Sequence, residues 1–279
     1  MLTRPLPEDS GDILSALGAV RSRVKNKEPL IHHITNYVVA NDSANAMLAV
    51  GALPVMAIST NEVEEMVSQA QALVINLGTP TTSLIESAVK AGQAANAHSL
   101  PVVLDPVGAG ATRYRTDNAL RVLREVRIGI LRANTGEMAS LLGHCSRMRG
   151  VEAGGKYHNV AELTIQASLT FGCVSVSTGA IDYVSDGKAM AMIHNGHPLL
   201  KRVTGAGCMV SSLCAAFAAV ENDVFIASTA ALAFFGIVAE KAALLGKGPG
   251  TFRSALFDTM FSLEESDFFK SLRVEVKNI

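Results

Sequence analysis

Ala72-Leu73-Val74-Ile75-Asn76, followed by Leu77-Gly78-Thr79, Thr82–Ala97 and Pro101-Val102-Val103-Leu104-Asp105, is the stretch on which the fold turns. A short apolar run that does not alternate with polar residues reads as a strand buried on both faces. It ends on a polar residue and a glycine-bearing loop. A long Ala-rich segment with helical character then leads into a second apolar run. Strand, helix, strand in this order is the unit of a parallel sheet with crossover helices.

The same alternation extends in both directions. Further strands are expected at Leu30–Ile34, Leu53–Ala57, Gly129–Arg132, Cys173–Ser177, Tyr183–Ser185 and Ala189–Ile193. Helices are expected at Leu14–Lys25, Val39–Val50, Glu62–Gln69, Asp117–Val126, Thr135–Leu142, Asn159–Thr170, Cys208–Ala219 and Val224–Leu245. Tyr183 to Ile193, bending at Ser185-Asp186-Gly187-Lys188, reads as an attached β-hairpin. The expected fold is α/β, a doubly wound and mostly parallel central sheet with helices on both faces. The polar, Gly-containing stretch Arg147–Asn159 fits a loop within one domain, so residues 1–279 are expected to form a single domain.

Composition agrees. Of 279 residues, 49% are hydrophobic and only 18% charged, which suits a sheet covered on both sides. The net charge of −1, the absence of Trp and the lack of a long basic run speak against a nucleic-acid partner. Mean hydropathy is +0.29. The apolar stretches Cys208–Val220 and Val224–Ala239 are shorter than the roughly 18–20 residues a membrane span needs, and Glu221 and Asp223 lie between them. Buried helices are therefore expected, with no membrane partner. Met1–Lys27 lacks a secretory apolar core. Cys145, Cys173, Cys208 and Cys214 show no CxxC spacing, which disfavours a zinc site or disulfide framework and suits a cytoplasmic setting.

In an open α/β sheet, ligands gather at the carboxyl ends of the strands. Five loops of suitable chemistry sit there: Thr35-Asn36, Asn76 to Thr79, Asp105 to Gly110, Asn134 to Glu137 and Thr178-Gly179. A sixth, Val203-Thr204-Gly205-Ala206-Gly207-Cys208, precedes an apolar helix. Its glycines let backbone N–H groups approach an anion closely, and the helix dipole favours negative charge there. Charge developing on a transferred phosphoryl group would be stabilised at that point. Cys208 at the helix start is expected to have a lowered pKa. A tight turn into a helix with an ordinary buried Cys is the alternative.

Other residues carry similar pairs of meanings. Arg132 offers a planar guanidinium for phosphate, or a surface ion pair. Asp105 offers a carboxylate for magnesium or its water, or a turn carboxylate before Pro106. Asn134 and Glu137 suit ordering of magnesium-bound water, or a capping box. Thr178 and Gly179 suit a nucleotide phosphate, or a plain strand end. His32 and His33 are adjacent, so a strand points them to opposite faces. His194 and His197 flank a glycine turn and read as loop histidines. Gly246 to Thr251 lacks the order of a phosphate-binding P-loop and reads as a turn after a helix. Gly108 to Thr112 lacks the third glycine of a dinucleotide fingerprint.

Taken together, these segments resemble the hydroxyethylthiazole kinases of the ribokinase-like superfamily. The resemblance spans roughly Pro29 to Phe252. It rests on Ile34-Thr35-Asn36, Gly51 through Met56, Asn76 through Thr79, Leu104 through Gly110, Arg132 through Glu137, and Val203 through Cys208. It implies ATP- and Mg2+-dependent phosphorylation of the hydroxyl of 4-methyl-5-(2-hydroxyethyl)thiazole, in thiamine biosynthesis and salvage. By position, Met56, Gly205 and Asn36 would contact the thiazole, Arg132 and Thr178 would bind ATP, and Asp105 and Glu137 would serve the metal. Gly205, Ala206 and Gly207 would cradle the phosphoryl group. Cys208 stands where most ribokinase-like enzymes place an Asp that takes the hydroxyl proton. The resemblance also implies a homotrimer with sites between subunits. Ala133 and Ala180 depart from the family's usual Gly and Glu. Competing expectations are a hydroxymethylpyrimidine or pyridoxal kinase, an ATP-dependent dehydratase of hydrated nicotinamide nucleotides, and a non-catalytic ligand-binding homologue.

Overall fold

The structure, a computed structural model, describes residues 10–144 and 159–279, with side chains from residue 15 onward. Helix α1 (Ser10–Lys27) leads into β1 (Leu30–Ile34), α2 (Ala40–Val50), β2 (Leu53–Val55), α3 (Val63–Gln69), β3 (Ala72–Asn76), α4 (Thr82–Ala97) and β4 (Val102–Asp105). Then follow α5 (Arg113–Glu125), β5 (Ile130–Asn134), α6 (Thr135–Leu141), α7 (Val160–Phe171) and β6 (Val174–Thr178). The antiparallel strands β7 (Asp182–Ser185) and β8 (Ala189–Ile193) precede a short 3-10 turn at Pro198–Arg202. The chain continues through α8 (Ala206–Ala218), α9 (Val224–Leu245), α10 (Pro249–Ser262) and α11 (Glu265–Ser271) to β9 (Val274–Asn278).

The nine strands form one sheet in the order β2-β1-β3-β4-β5-β6-β7-β8-β9. From β2 to β6 every pair is parallel, and β7, β8 and β9 join antiparallel. The strand β3 shows why the sheet is covered twice. All five of its residues are buried. Ala72 and Val74 pack with α1, α2, α8 and α9, while Leu73 and Ile75 pack with α3, α4 and α5 on the other face. The order reverses between β1 and β3, since β1 leads outward to β2 while β3 starts the march to β6. That reversal is the switch point at which α/β sheets open a crevice.

Local chemistry sets the helix starts. Thr81, Thr112, Asn159 and Asp223 each accept a first-turn backbone N–H with their side chains. The mostly parallel sheet and its hairpin match expectation, but several boundaries move. Helix α1 begins at Ser10, and β2 ends at Val55. Helix α8 begins at Ala206, so Cys208 lies within its first turn. Helices α10 and α11 and strand β9 were not expected at all. Apart from Asn159, the expected loop Arg147–Asn159 lies outside the described residues, as does Cys145. The turn expected at Gly246 to Thr251 is seen, with α10 starting inside it at Pro249. Helix α9 has 22 residues, so by length it is long enough to cross a membrane. The length argument therefore fails for it. Its placement decides instead: 83% of its most apolar window is buried against the rest of the protein.

Candidate active site

The polar residues at the carboxyl ends of β1, β3, β4, β5 and β6 form one connected network. At the switch point, Asn36 Nδ2 donates to Asn76 Oδ1 at 2.7 Å. Asn76 Nδ2 donates onward to Asp105 Oδ2 at 2.9 Å. Ser211 Oγ, from the second turn of α8, donates to the same oxygen at 2.7 Å. Asp105 Oδ1 lies 3.6 Å from Arg132 Nη1. The other arm of that guanidinium, Nη2, donates to Thr178 Oγ1 at 2.5 Å. Asn36, Asn76, Asp105 and Arg132 are all buried. Buried polar groups are costly unless partnered, so these bonds hold the network's members in place, with Asp105 Oδ1 and Arg132 Nε left without a hydrogen-bond partner among the described residues.

Helix α8 closes the network from above. Gly205 has φ +84°, a left-handed conformation that a side chain disfavours, and an added Cβ would also meet Val39. Gly207 is held by proximity rather than conformation: a Cβ there would sit 2.6 Å from Arg132 Nη1. The backbone N–H of Met209 makes the bond to Gly205 O, and that of Ala206 reaches Val203 O at 3.4 Å. The N–H groups of Gly207 and Cys208 therefore belong to the helix start that lacks intrahelical partners.

Glu137 sits beneath the Gly108 loop. Its Oε1 accepts from Gly108 N at 2.8 Å and its Oε2 from Asn134 N at 2.9 Å, while Asn134 Oδ1 accepts from Glu137 N. The capping box is thus real, and the same carboxylate also reaches the loop after β4. One side chain thus ties the start of α6 to the loop after β4.

Electrostatics sharpen the picture and correct one expectation. Burial pushes Glu137 up to about 7, Asp105 adds to the rise, and Arg132 and the two N–H donors oppose it. Burial also raises Asp105, against Arg132 and the groups around it, Ser211, Cys208 and Asn76. The Cys208 thiol does not have the lowered pKa expected at a helix start. Burial pushes it up to about 12, and the neighbouring Asp105 charge works in the same direction. At neutral pH it is an uncharged thiol. Arg132 is no surface ion pair either; it is buried, and Asp105 and Glu137 hold its charge against the cost of burial.

The remaining candidates fall into place around this centre. Met56, half-buried, follows β2 at the crevice side of the sheet. His32 Nε2 lies 2.7 Å from Ala57 O, whereas His33 contacts Ser212 on α8, so the pair faces opposite ways. His194 pairs with Glu275, and His197 caps the 3-10 turn. Among the described residues no cluster of three or more His, Cys, Asp or Glu is placed to hold a metal by itself. Sequence reasoning named Asn76 only as part of its strand-end loop and did not single out Ser211. Asn76 offered a signal, a polar residue closing an apolar strand, but Ser211 lies in a helix interior and offered none.

Known proteins resemble this chain in sequence and in fold. A sequence model described as the hydroxyethylthiazole kinase family matches residues 21–266. A hydroxyethylthiazole kinase of Moorella thermoacetica is 47% identical over 256 residues, covering 92% of this chain and 96% of that one. One from a Thermoanaerobacter species is 45% identical over 255 residues, covering 91% and 97%. The solved structure of a hydroxyethylthiazole kinase protein from Pyrococcus horikoshii superposes with a TM-score of 0.87 at 43% identity, covering 96% of this chain and 99% of that one. A Staphylococcus aureus pyridoxal kinase in complex with ADP shares the fold, with a TM-score of 0.64 at 14% identity over 90% of this chain and 98% of that one.

Proposed function

The chain belongs to the hydroxyethylthiazole kinase family, and from that premise we propose that it transfers the γ-phosphoryl group of ATP to the hydroxyl of 4-methyl-5-(2-hydroxyethyl)thiazole, in thiamine biosynthesis or salvage. The observation that carries the proposal is the Asp105–Arg132–Thr178 network lying directly under the helix start at Gly207 and Cys208.

Phosphoryl transfer depends mainly on positioning and on offsetting charge. The alcohol attacks the γ-phosphorus in line, and the ADP oxygen leaves on the opposite side. Arg132, fixed by Asp105 and Thr178, offsets phosphate charge. The N–H groups of Gly207 and Cys208 face the oxygens of the transferring group, with Gly205 and Ala206 shaping the turn. Met56 and Asn36 flank the thiazole, and Gly205 touches it.

Asp105 and Glu137 suit a magnesium ion held largely by phosphate and water. Both offer hard oxygen, and buried Asp105 Oδ1 lacks a hydrogen-bond donor among the described residues. Held by these carboxylates, such an ion would supply positive charge to offset that of the phosphates. Cys208 remains a neutral thiol packed beside Asp105, so the hydroxyl proton passes to the phosphoryl oxygens or to a carboxylate rather than to a thiolate. Ala133 adds a methyl group to β5, yet that methyl is fully buried in the core rather than in the nucleotide loop.

Neighbouring features support a reading of the assembly and setting. A homotrimer with sites between subunits fits the exposed Tyr37, Val38, Leu48, Leu53 and Ile58, which gather around the β1–α2 connection and the edge strand β2. A monomer in sedimentation contradicts that assignment. The unpaired thiols Cys173, Cys208 and Cys214 suit a reducing cytoplasm. The single continuous sheet favours one kinase domain over residues 1–279. The direct test of the activity is mass spectrometry of the thiazole alcohol incubated with ATP, magnesium and purified protein. The expected product is its phosphate monoester; recovery of unchanged alcohol contradicts the reading.

A further inference from the structure

A serine buried inside a helix ordinarily satisfies its hydroxyl by donating to the carbonyl four residues earlier. Ser228 and Thr229 in α9 do so, at 2.8 Å each. Ser211 in α8 departs from the pattern. Its own helix carbonyl, Gly207 O, lies 3.4 Å away, whereas Asp105 Oδ2 lies at 2.7 Å. The hydroxyl proton is therefore spent on a carboxylate from β4, 106 residues distant in sequence. Hydrogen bonds to charged groups are about twice as strong as neutral ones.

The consequence for Asp105 is asymmetric. Oδ2 receives two donors, Ser211 Oγ and Asn76 Nδ2. Oδ1 receives none from the described residues, although it is buried and faces Arg132 at 3.6 Å. A carboxylate with one oxygen doubly anchored cannot rotate without breaking both bonds. Its second oxygen is thereby dedicated to the space shared with Arg132 and the start of α8.

We propose that Ser211 is a positioning residue for phosphoryl transfer: with Asn76 it saturates one oxygen of Asp105 and so presents the other to the reacting groups. The inference rests on the assignment of Asp105 to the site made above. It also ties the helix carrying the Gly207 and Cys208 donors to the strand carrying the carboxylate, so both sides of the centre share one register.

Steady-state kinetics of Ser211→Ala, Ser228→Ala and Asp105→Ala, with the double variant Asp105→Ala/Ser211→Ala, test this. Alanine suits a helix interior, so neither serine variant is expected to unfold the protein. Thermal unfolding of the ligand-free variants checks that directly, each showing one cooperative transition. Ser211→Ala is expected to lower kcat about ten-fold with KM for the thiazole alcohol little changed. Ser228→Ala, which removes a hydroxyl of equal burial, leaves kcat unchanged. In the Asp105→Ala background the Ser211 substitution adds no further loss. Equal kcat for Ser211→Ala and Ser228→Ala overturns the role of Ser211, as does a full further loss in the double variant. Full activity in Asp105→Ala overturns the assignment of Asp105 itself, a separate outcome.

Discussion

Arg132 Nη2 donates to Thr178 Oγ1 across 2.5 Å while the other arm of the same guanidinium faces Asp105. One planar side chain thus joins β4, β5 and β6 at their carboxyl ends. Lys in its place keeps the charge but cannot span both contacts. Arg132→Lys is expected to lower kcat/KM for ATP about 100-fold, and Arg132→Met to cost about 3 kcal/mol of stability as well, because Asp105 is left buried without its counter-charge. Initial rates over an ATP series, with denaturant unfolding of both variants, check the pair. Unchanged ATP dependence in Arg132→Lys contradicts the assignment.

Gly207→Ala separates activity from stability. Alanine is the better helix former, so propensity alone favours the variant. Its methyl group would nevertheless sit 2.6 Å from Arg132 Nη1 and 2.7 Å from Nη2, and the guanidinium must move. A protein that melts within a few degrees of the parent but has lost most of its kinase rate is the expected result. A variant with full activity shows that Arg132 is free to relocate without consequence.

Cys208 is expected to behave as a neutral side chain. With its thiol pushed up to about 12, thiolate is scarce at pH 7 to 9. Cys208→Ala is expected to retain kcat within about five-fold, with a pH profile parallel to the parent. Loss of activity by several orders of magnitude, with disappearance of a basic limb, returns the thiol to the role of base.

Much of this was legible in the sequence, for identifiable reasons. Strand β3 was readable because an uninterrupted apolar run buried on both faces has few other fates. The corners of the candidate site, Asp105, Arg132 and Thr178, were readable because each is a polar residue closing or ending such a run. Helix α10 was missed because its start, Gly248-Pro249-Gly250, consists of two residue types, Gly and Pro, that disfavour helix anywhere but at its ends. Strand β9 was missed because Val274-Glu275-Val276-Lys277 is a short edge strand with charges facing solvent. The Ser211–Asp105 and Asn36–Asn76 bonds were illegible, since pairing between elements far apart in the chain leaves no local pattern. The thiol pKa was misjudged because a helix start is read locally, whereas burial and the Asp105 charge are tertiary.

The pH dependence of folding reports on Glu137. Its folded pKa of about 7 lies above the usual carboxylate value. Between the two values the folded protein holds a proton that the unfolded chain has lost. Stability from this group is therefore full below about pH 4.5 and falls as pH rises through about 7. Glu137→Gln removes that slope. The check is denaturant unfolding of ligand-free parent and variant at pH 5 and pH 8. The parent is expected to lose more stability than the variant between those pH values, and equal losses contradict the raised carboxyl.

The central claim, an ATP-dependent kinase for the thiazole alcohol, meets its most direct test in a coupled ADP-release assay. The purified protein is offered thiazole, hydroxymethylpyrimidine and pyridoxal alcohols under identical conditions. The account predicts the highest kcat/KM on 4-methyl-5-(2-hydroxyethyl)thiazole. Faster turnover of the pyrimidine or of pyridoxal, or ADP release with none of the three, contradicts it.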